Sequence, residues 1–471
     1  MHYFNLFCWA LLCFTEAFAL KVEEVFFPIR NFSSDIIDFI NNPVYGRPEF
    51  DLERVSYWDL NNDEEHNRRL LARRKKFENQ TYISFWDPEQ NYHKLPLITA
   101  DINAILSSNG FYGVEEHFVE TEDGYNLTLH RIIRNDKEPS ESTGNGVVFI
   151  QHGLLLSSDA YVLQNRKKNL VYTLVENNYD VWLGNARGNS YSRSHSSYNT
   201  NESAFWDFSF HEIGVQDLRH SIDYVLKKTK SPYLNFIGYS IGATESYVLI
   251  SKYPEFNQKI RLLISISPLL FWERPDDDDT QIDEIIEKIE VGHLTNKLLF
   301  VNLRDNFDGG DSDGTRTGEL YPLSSYMSYF AYNVRNRCGE TLSTIFGDLH
   351  IKIDTATCSL LVRHMPAGTS TKNLIHLLQL IKSGRFQEYD DGLGSEEYDL
   401  SKITLPHAVF VGPDEKFLYK KDINELQNRF PSSVIYKFKY PSGSYMNDLD
   451  YPFSEASKPI ADAVKNLLPL Y

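Results

Sequence analysis

The feature that most limits how this chain can fold is Gly238-Tyr239-Ser240-Ile241-Gly242, which stands directly after a strand-like run and directly before a helix-like one. A serine in such a turn is held in a strained conformation that leaves no room for bulky neighbours two positions away, and Gly238 and Gly242 provide that room. Leu234 to Ile237 supplies the apolar strand and Ala243 to Ser251 the helix. In that context the pentapeptide reads as a nucleophile elbow with Ser240 at its tip.

The surrounding pattern supports the same class of fold. Apolar, β-branched runs at Gly146 to Gln151, Tyr179 to Leu183, Leu262 to Ser267, His407 to Val411 and Val434 to Phe438 read as buried strands. Leu163 to Asn177 and His211 to Lys228 read as helices, the second with Ile213, Leu218, Ile222 and Leu226 at helical spacing. Strands alternating with helices imply a mostly parallel sheet covered on both faces. The alternation breaks between Pro268 and Ser401, which reads as an inserted cap.

Backbone donors for a developing oxyanion are expected next to the serine. His152-Gly153-Leu154-Leu155 follows the strand that ends at Gln151, and the N–H groups of Leu154 and Ile241 are the candidates. An ordinary strand-to-loop turn would use the same residues.

The ends and composition bear on compartment and partners. An apolar stretch from Phe4 to Phe14, followed by Ala17-Phe18-Ala19, reads as a signal peptide over residues 1–19. No later stretch approaches the roughly 20 apolar residues of a membrane span. Asn31, Asn79, Asn126 and Asn201 each head an Asn-x-Ser/Thr sequon. Of four cysteines, Cys338 and Cys358 remain after the signal; they can pair or stay as free thiols. The formal charge of −18 disfavours nucleic acid and anionic membrane surfaces. Residues 20–96 lack the strand-helix rhythm and carry a basic cluster around Arg73 and Arg74, as an extension or pro-segment would. The acidic run Asp276 to Asp279 and the loop Asp305 to Thr317 fail the EF-hand spacing, so neither a metal nor any other cofactor is expected.

Several blocks resemble the acid lipases, the family of gastric and lysosomal lipases. They are the run Tyr179 to Asn189 with its Leu-Gly-Asn-Ala-Arg-Gly-Asn ending, Phe205 to Glu212, Glu122-Asp123-Gly124-Tyr125 and Pro366-Ala367-Gly368-Thr369-Ser370. The resemblance covers Leu97 to the C-terminus. It implies an α/β-hydrolase fold: a mostly parallel central sheet with helices on both faces and a cap or lid domain. The expected division is core at 97–267 and 402–471 with the cap at 268–401. The resemblance also implies a neutral lipid or ester ligand, and it makes Ser240 the nucleophile, His152 to Leu155 the oxyanion loop and Asp414 the triad acid. Asp414 follows the strand His407 to Val411, in the serine-then-aspartate order of the fold.

The pattern fails at the base. Where the family carries Asn-His-Leu-Asp, this chain has Asn447-Asp448-Leu449-Asp450, and no histidine follows His407. A histidine serves because its pKa lies near neutrality; a free aspartate lies about 2.6 pH units lower and is a far weaker base. His152 is the obvious substitute, yet its place in the oxyanion loop suits it to orienting backbone. The flanks of the serine depart too, with Tyr239 and Ile241 where the family has His and Gln. The acidic segment Glu273 to Glu290 does not suit a lid that opens onto lipid, and Tyr329 falls where a partner for Cys338 is expected. Two readings follow. In one, a secreted or lysosomal glycoprotein has lost hydrolysis, or nearly so, and binds lipid or a partner or serves in storage. In the other, an active lipase or esterase uses an acyl-enzyme on Ser240.

Overall fold

The structure, a computed structural model, describes residues 102–107, 112–135, 144–163, 169–200, 202–270, 364, 367–411, 420–430, 433–437, 451 and 457–471, with two-residue strands at 82–83, 95–96 and 319–320. Among them, nine strands form the main sheet: β1 (Tyr112–Glu120), β2 (Tyr125–Arg134), β3 (Val147–Gln151), β4 (Asp180–Leu183), β5 (Ser194–His195), β6 (Leu234–Tyr239), β7 (Ile260–Ile266), β8 (His407–Val411) and β9 (Ser433–Lys437). Their order is β9-β8-β7-β6-β3-β4-β2-β1, with β5 beside β2. The neighbours from β9 through to β4 are all parallel, while β1, β2 and β5 join antiparallel.

The apolar runs of the parallel strands have a direct cause. Alternate side chains point to opposite faces, and both faces are covered, so most positions along these strands are apolar. Val148, Ile150, Val181, Leu183, Ile237 and Ile264 share a core with helix α1 (Ile102–Ser107), helix α2 (Leu170–Glu176) and helix α7 (Ser457–Leu467). Phe149, Trp182, Phe236, Leu263 and Val409 enter the opposite core. There they meet α3 (Arg219–Thr229), α4 (Ile241–Lys252), α5 (Thr371–Ser383) and the buried Leu426 of α6 (Lys420–Arg429).

Three local outcomes depart from the periodicity. The hairpin β1-β2 was not apparent from the alternation; it turns at Glu122-Asp123-Gly124, where Gly124 has φ +98° and a Cβ would lie 2.4 Å from Ser196 Oγ. Of the expected helix at Leu163 to Asn177, the described residues form a helix at Leu170–Glu176, capped at its start by Asn169, whose Oδ1 accepts from Val171 N at 2.8 Å. The expected helix at His211 to Lys228 runs from Phe210 to Thr229 but contains a π segment at Ile213–Leu218. That segment brings Gly214 so close to α4 that a Cβ would sit 2.8 Å from Glu245 O.

Most of the expected cap lies outside the described residues. Of its described part, α5 buries Leu374, Leu377 and Leu378 in the core on the α4 side of the sheet. No described helix is long and apolar enough to cross a membrane.

Candidate functional site

Ser240 sits between the end of β6 and the start of α4 with φ 54° and ψ −124°. A non-glycine residue there stores about 1–3 kcal/mol and persists only where its surroundings over-determine it. The surroundings do so here. Ser240 N donates to Ile266 O at 2.9 Å, and Ala243 N donates back to Ser240 O at 3.0 Å. A Cβ on Gly238 would lie 2.5 Å from Ala243 Cα, and one on Gly242 would lie 2.5 Å from His152 O. The two glycines therefore let the helix, the strand and the loop after β3 close around the serine.

That loop is the expected oxyanion loop. A Cβ on Gly153 would lie 3.2 Å from Ser240 Cβ, so Gly153 backs directly onto the serine side chain. Leu154 follows it, and Leu155 takes φ 60°. Ile241 opens α4, where the first amides of a helix lack intrahelical acceptors.

His152 is fully engaged elsewhere. Its Nδ1–H donates to Gly153 O at 2.8 Å, while Nε2 accepts from Ala186 N at 3.0 Å and lies 3.1 Å from Asn189 Nδ2. Burial pushes its pKa down to about 4. The ring is thus fixed as a neutral bridge between the oxyanion loop and the Gly184-Asn185-Ala186 turn. His407 is equally committed: at the start of β8 its Nε2 lies 3.0 Å from Ser265 Oγ and 3.1 Å from Tyr247 Oη, and burial lowers its pKa to about 3.

The quoted sequence blocks converge on one buried cation. Arg187 donates through Nε to Asp217 Oδ1 at 2.7 Å and through Nη1 to Asp123 Oδ2 at 2.6 Å, and its guanidinium lies 3.9 Å from the Tyr125 ring centre. The π segment Ile213–Leu218 presents Asp217, which also accepts from Arg187 N at 2.8 Å. Gly188 (φ +80°) is packed so tightly that a Cβ would meet Phe208 and Trp206 at 2.7 and 2.8 Å. Ser370, in turn, donates to Phe208 O.

Two further acids escaped the sequence reading. Glu245, buried in α4, accepts from Gln151 Nε2 at 3.0 Å; burial raises its pKa well above the usual carboxyl range. Asp159, in the short turn after the oxyanion loop, accepts from His364 Nδ1 at 2.6 Å and from Tyr191 Oη at 2.6 Å. Burial opposes its ionisation, but His364 and Tyr191 outweigh that and hold its pKa below the ordinary value. The opposite ring nitrogen, His364 Nε2, is buried without a hydrogen-bond partner. No spacing in the sequence points to a pair 205 positions apart.

Asp414, Asp448, Cys338, Cys358, Asn31, Asn79 and Asn201 lie outside the described residues. Two neighbours of the triad positions are described. β8 ends at Val411, three residues before Asp414. Tyr451, three residues after Asp448, packs its ring 5.2 Å from that of Tyr239, the residue before the serine. Asn126 lies in β2 and donates from Nδ2 to Ser194 Oγ at 3.3 Å. Among the described residues no cluster of His, Cys, Asp and Glu suits a metal ion.

Comparison with known proteins agrees with this geometry. Residues 102–165 match a family described as a partial alpha/beta-hydrolase lipase region, and residues 146–314 match the alpha/beta hydrolase fold. Lipase 1 of Drosophila melanogaster is 31% identical over 75% of this chain and 76% of its own length. Human gastric triacylglycerol lipase is 30% identical over 76% of this chain and 87% of its own. Human lysosomal acid lipase/cholesteryl ester hydrolase is 29% identical over 74% and 85%.

Proposed function

The chain belongs to the acid lipase family and carries the scaffold of a lipid-ester hydrolase, and from that premise we propose that its hydrolysis is lost or very weak because Asp448 stands where the triad needs a histidine. In the working version of this site, Ser240 Oγ attacks the ester carbonyl and passes its proton to a base. The amides of Leu154 and Ile241 hold the oxyanion, and Asp414 orients the base. Asp448 would be a far weaker base, and if it lay close to Asp414 the two carboxylates would repel and share a proton. Loss of the histidine in a serine hydrolase costs on the order of 10⁶ in kcat, with about 10³ to 10⁴ over water surviving from the oxyanion hole and binding.

The observation that carries this reading is the packing of Tyr451, three positions after Asp448 in sequence, on Tyr239, the residue before the serine, at 5.2 Å between ring centres. The commitments of His152 support it as well, since both of its ring nitrogens are taken, and His407 Nε2 is engaged with Ser265 and Tyr247. On this reading the protein is exported, glycosylated and lysosomal or extracellular, and it uses its pocket to hold a neutral lipid or ester, in storage or for a partner, with residues 268–401 as cap.

The alternative, an active lipase or esterase, is favoured by the intact elbow at Ser240. Hydrolysis of short-chain and triglyceride esters by the purified chain separates the two, alongside Asp448→His and Ser240→Ala. The parent is expected to be nearly silent and Asp448→His to gain activity; robust parent turnover that Ser240→Ala abolishes would sink the proposal.

A further inference from the structure

The turn that carries the expected oxyanion donor is held in a conformation its own residues do not favour. Leu156 N donates to Gly153 O at 3.2 Å, which closes a four-residue turn over Gly153 to Leu156. Leu155, the third residue of that turn, has φ 60°. A positive φ at that place calls for glycine or asparagine, so a leucine there is strained and persists only where its surroundings hold it.

The hold comes from far along the chain. Ala367 N donates to Leu155 O at 2.7 Å, and Ser190 Oγ donates to Ala367 O at 3.1 Å. The peptide joining Leu155 to Leu156 is therefore pinned on both sides, its oxygen by Ala367 and its N–H by Gly153. Leu155 cannot relax to a negative φ without breaking one of these bonds. The support is itself firmly seated. Ala367 is buried, Ser370 Oγ donates to Phe208 O and caps α5 by accepting from Asn373 N at 3.0 Å, and Asn373 Oδ1 accepts from Phe210 N at 2.9 Å. A second tie lies just downstream of the turn, where His364 Nδ1 and Asp159 Oδ2 are 2.6 Å apart and Tyr191 Oη donates to Asp159 Oδ1 at 2.6 Å. On its other side the turn backs onto the serine, since a Cβ on Gly153 would lie 3.2 Å from Ser240 Cβ.

Resting on the reading that this chain keeps an ester-hydrolase scaffold with Leu154 N–H as an oxyanion donor, we propose that the Ala367–Ser370 stretch, together with His364, is a splint that aims this donor by holding Leu155 in its strained conformation. Ala367 and His364 are positioning residues: they act on the donor through Leu155 and Asp159 and touch no substrate. A donor fixed before reaction costs no reorganisation when charge develops on the carbonyl oxygen, whereas a relaxed Leu155 would swing the preceding amide away from its aim. Because the oxyanion exists only in the transition state, loss of the splint acts on kcat and leaves KM in place.

The test uses the full chain with Ala367→Pro, which deletes the N–H that Leu155 O accepts, and with His364→Ala as the second variant should the proline prevent folding. Hydrogen exchange read by mass spectrometry should quicken about 10-fold over residues 153–158 in either variant, with β6 and α4 as protected as in the parent. In an Asp448→His chain, either change should lower kcat on p-nitrophenyl butyrate by about 10-fold to 10²-fold at unchanged KM, less than the roughly 10²–10³ that outright removal of an oxyanion donor costs. Unchanged exchange over 153–158 in a folded variant overturns the splint, and so does an unchanged kcat or a loss carried by KM alone. An Asp448→His chain that fails to hydrolyse the ester counts against Asp448 as the cause of lost hydrolysis; the exchange rates then decide the splint by themselves.

Discussion

Arg187 and His364 are both buried basic side chains held by aspartates, and they differ in how completely they are satisfied. Arg187 spends its guanidinium on Asp217 and Asp123 and lies against the Tyr125 ring. His364 has one nitrogen on Asp159 and the other on nothing. A fully paired buried charge holds elements in place: Arg187 joins the hairpin turn at Asp123 to the π segment at Asp217. A half-paired imidazole is tied down through one nitrogen only, so it contributes less to holding elements together. The contrast ranks two buried partners of aspartates by how completely each is satisfied.

The sharpest way to break the comparison is Arg187→Met. Asp217, itself buried, would lose its counter-charge, and breaking a buried pair from one side typically costs about 3–5 kcal/mol. Urea denaturation should read a loss of that size; a loss near zero would mean the network does not hold the hairpin and π segment together. His364→Ala should cost less, about 1.5–3 kcal/mol, because one hydrogen bond to a charged group is removed and Tyr191 still serves Asp159. If it proves costlier than Arg187→Met, the ranking of the two sites is wrong.

A pH-dependent effect is expected at Glu245, where a neutral amide is the partner. Its folded pKa is raised above the unfolded value, so the stability it contributes is full below about pH 4.3 and is lost as pH rises toward the folded pKa. Glu245→Gln keeps an acceptor for Gln151 and removes that loss. It should stabilise the protein at pH 7 and leave it unchanged at pH 4, as read by melting temperature at the two pH values. Equal shifts at both would show that the carboxyl is not protonated in the fold. The catalytic test, Asp448→His, completes the set: a gain of ester hydrolysis would show that this position can supply the base.

Much of this was legible in the chain because the signals are local. The parallel strands appeared within two residues of the expected bounds, since a run covered on both faces is predominantly apolar. The hairpin β1-β2 was not legible, because its strands mix buried and exposed positions and β1 places two glutamates in succession. The π segment was hidden as well: its apolar positions satisfy ordinary helical spacing, and only the approach of Gly214 to α4 and the reach of Asp217 to Arg187 distinguish it.

By itself the sequence determined the family, the alternating sheet and the place of Ser240, since elbow glycines, strand and helix lie within about 20 residues and act through backbone sterics. It also shows that no histidine follows His407. Only the tertiary structure decided what the remaining histidines do. His152, His407 and His364 look alike as letters, and their chemistry depends on partners up to 205 residues away. Burial and hydrogen bonding set the state of an imidazole, and both come from long-range packing that no local spacing encodes.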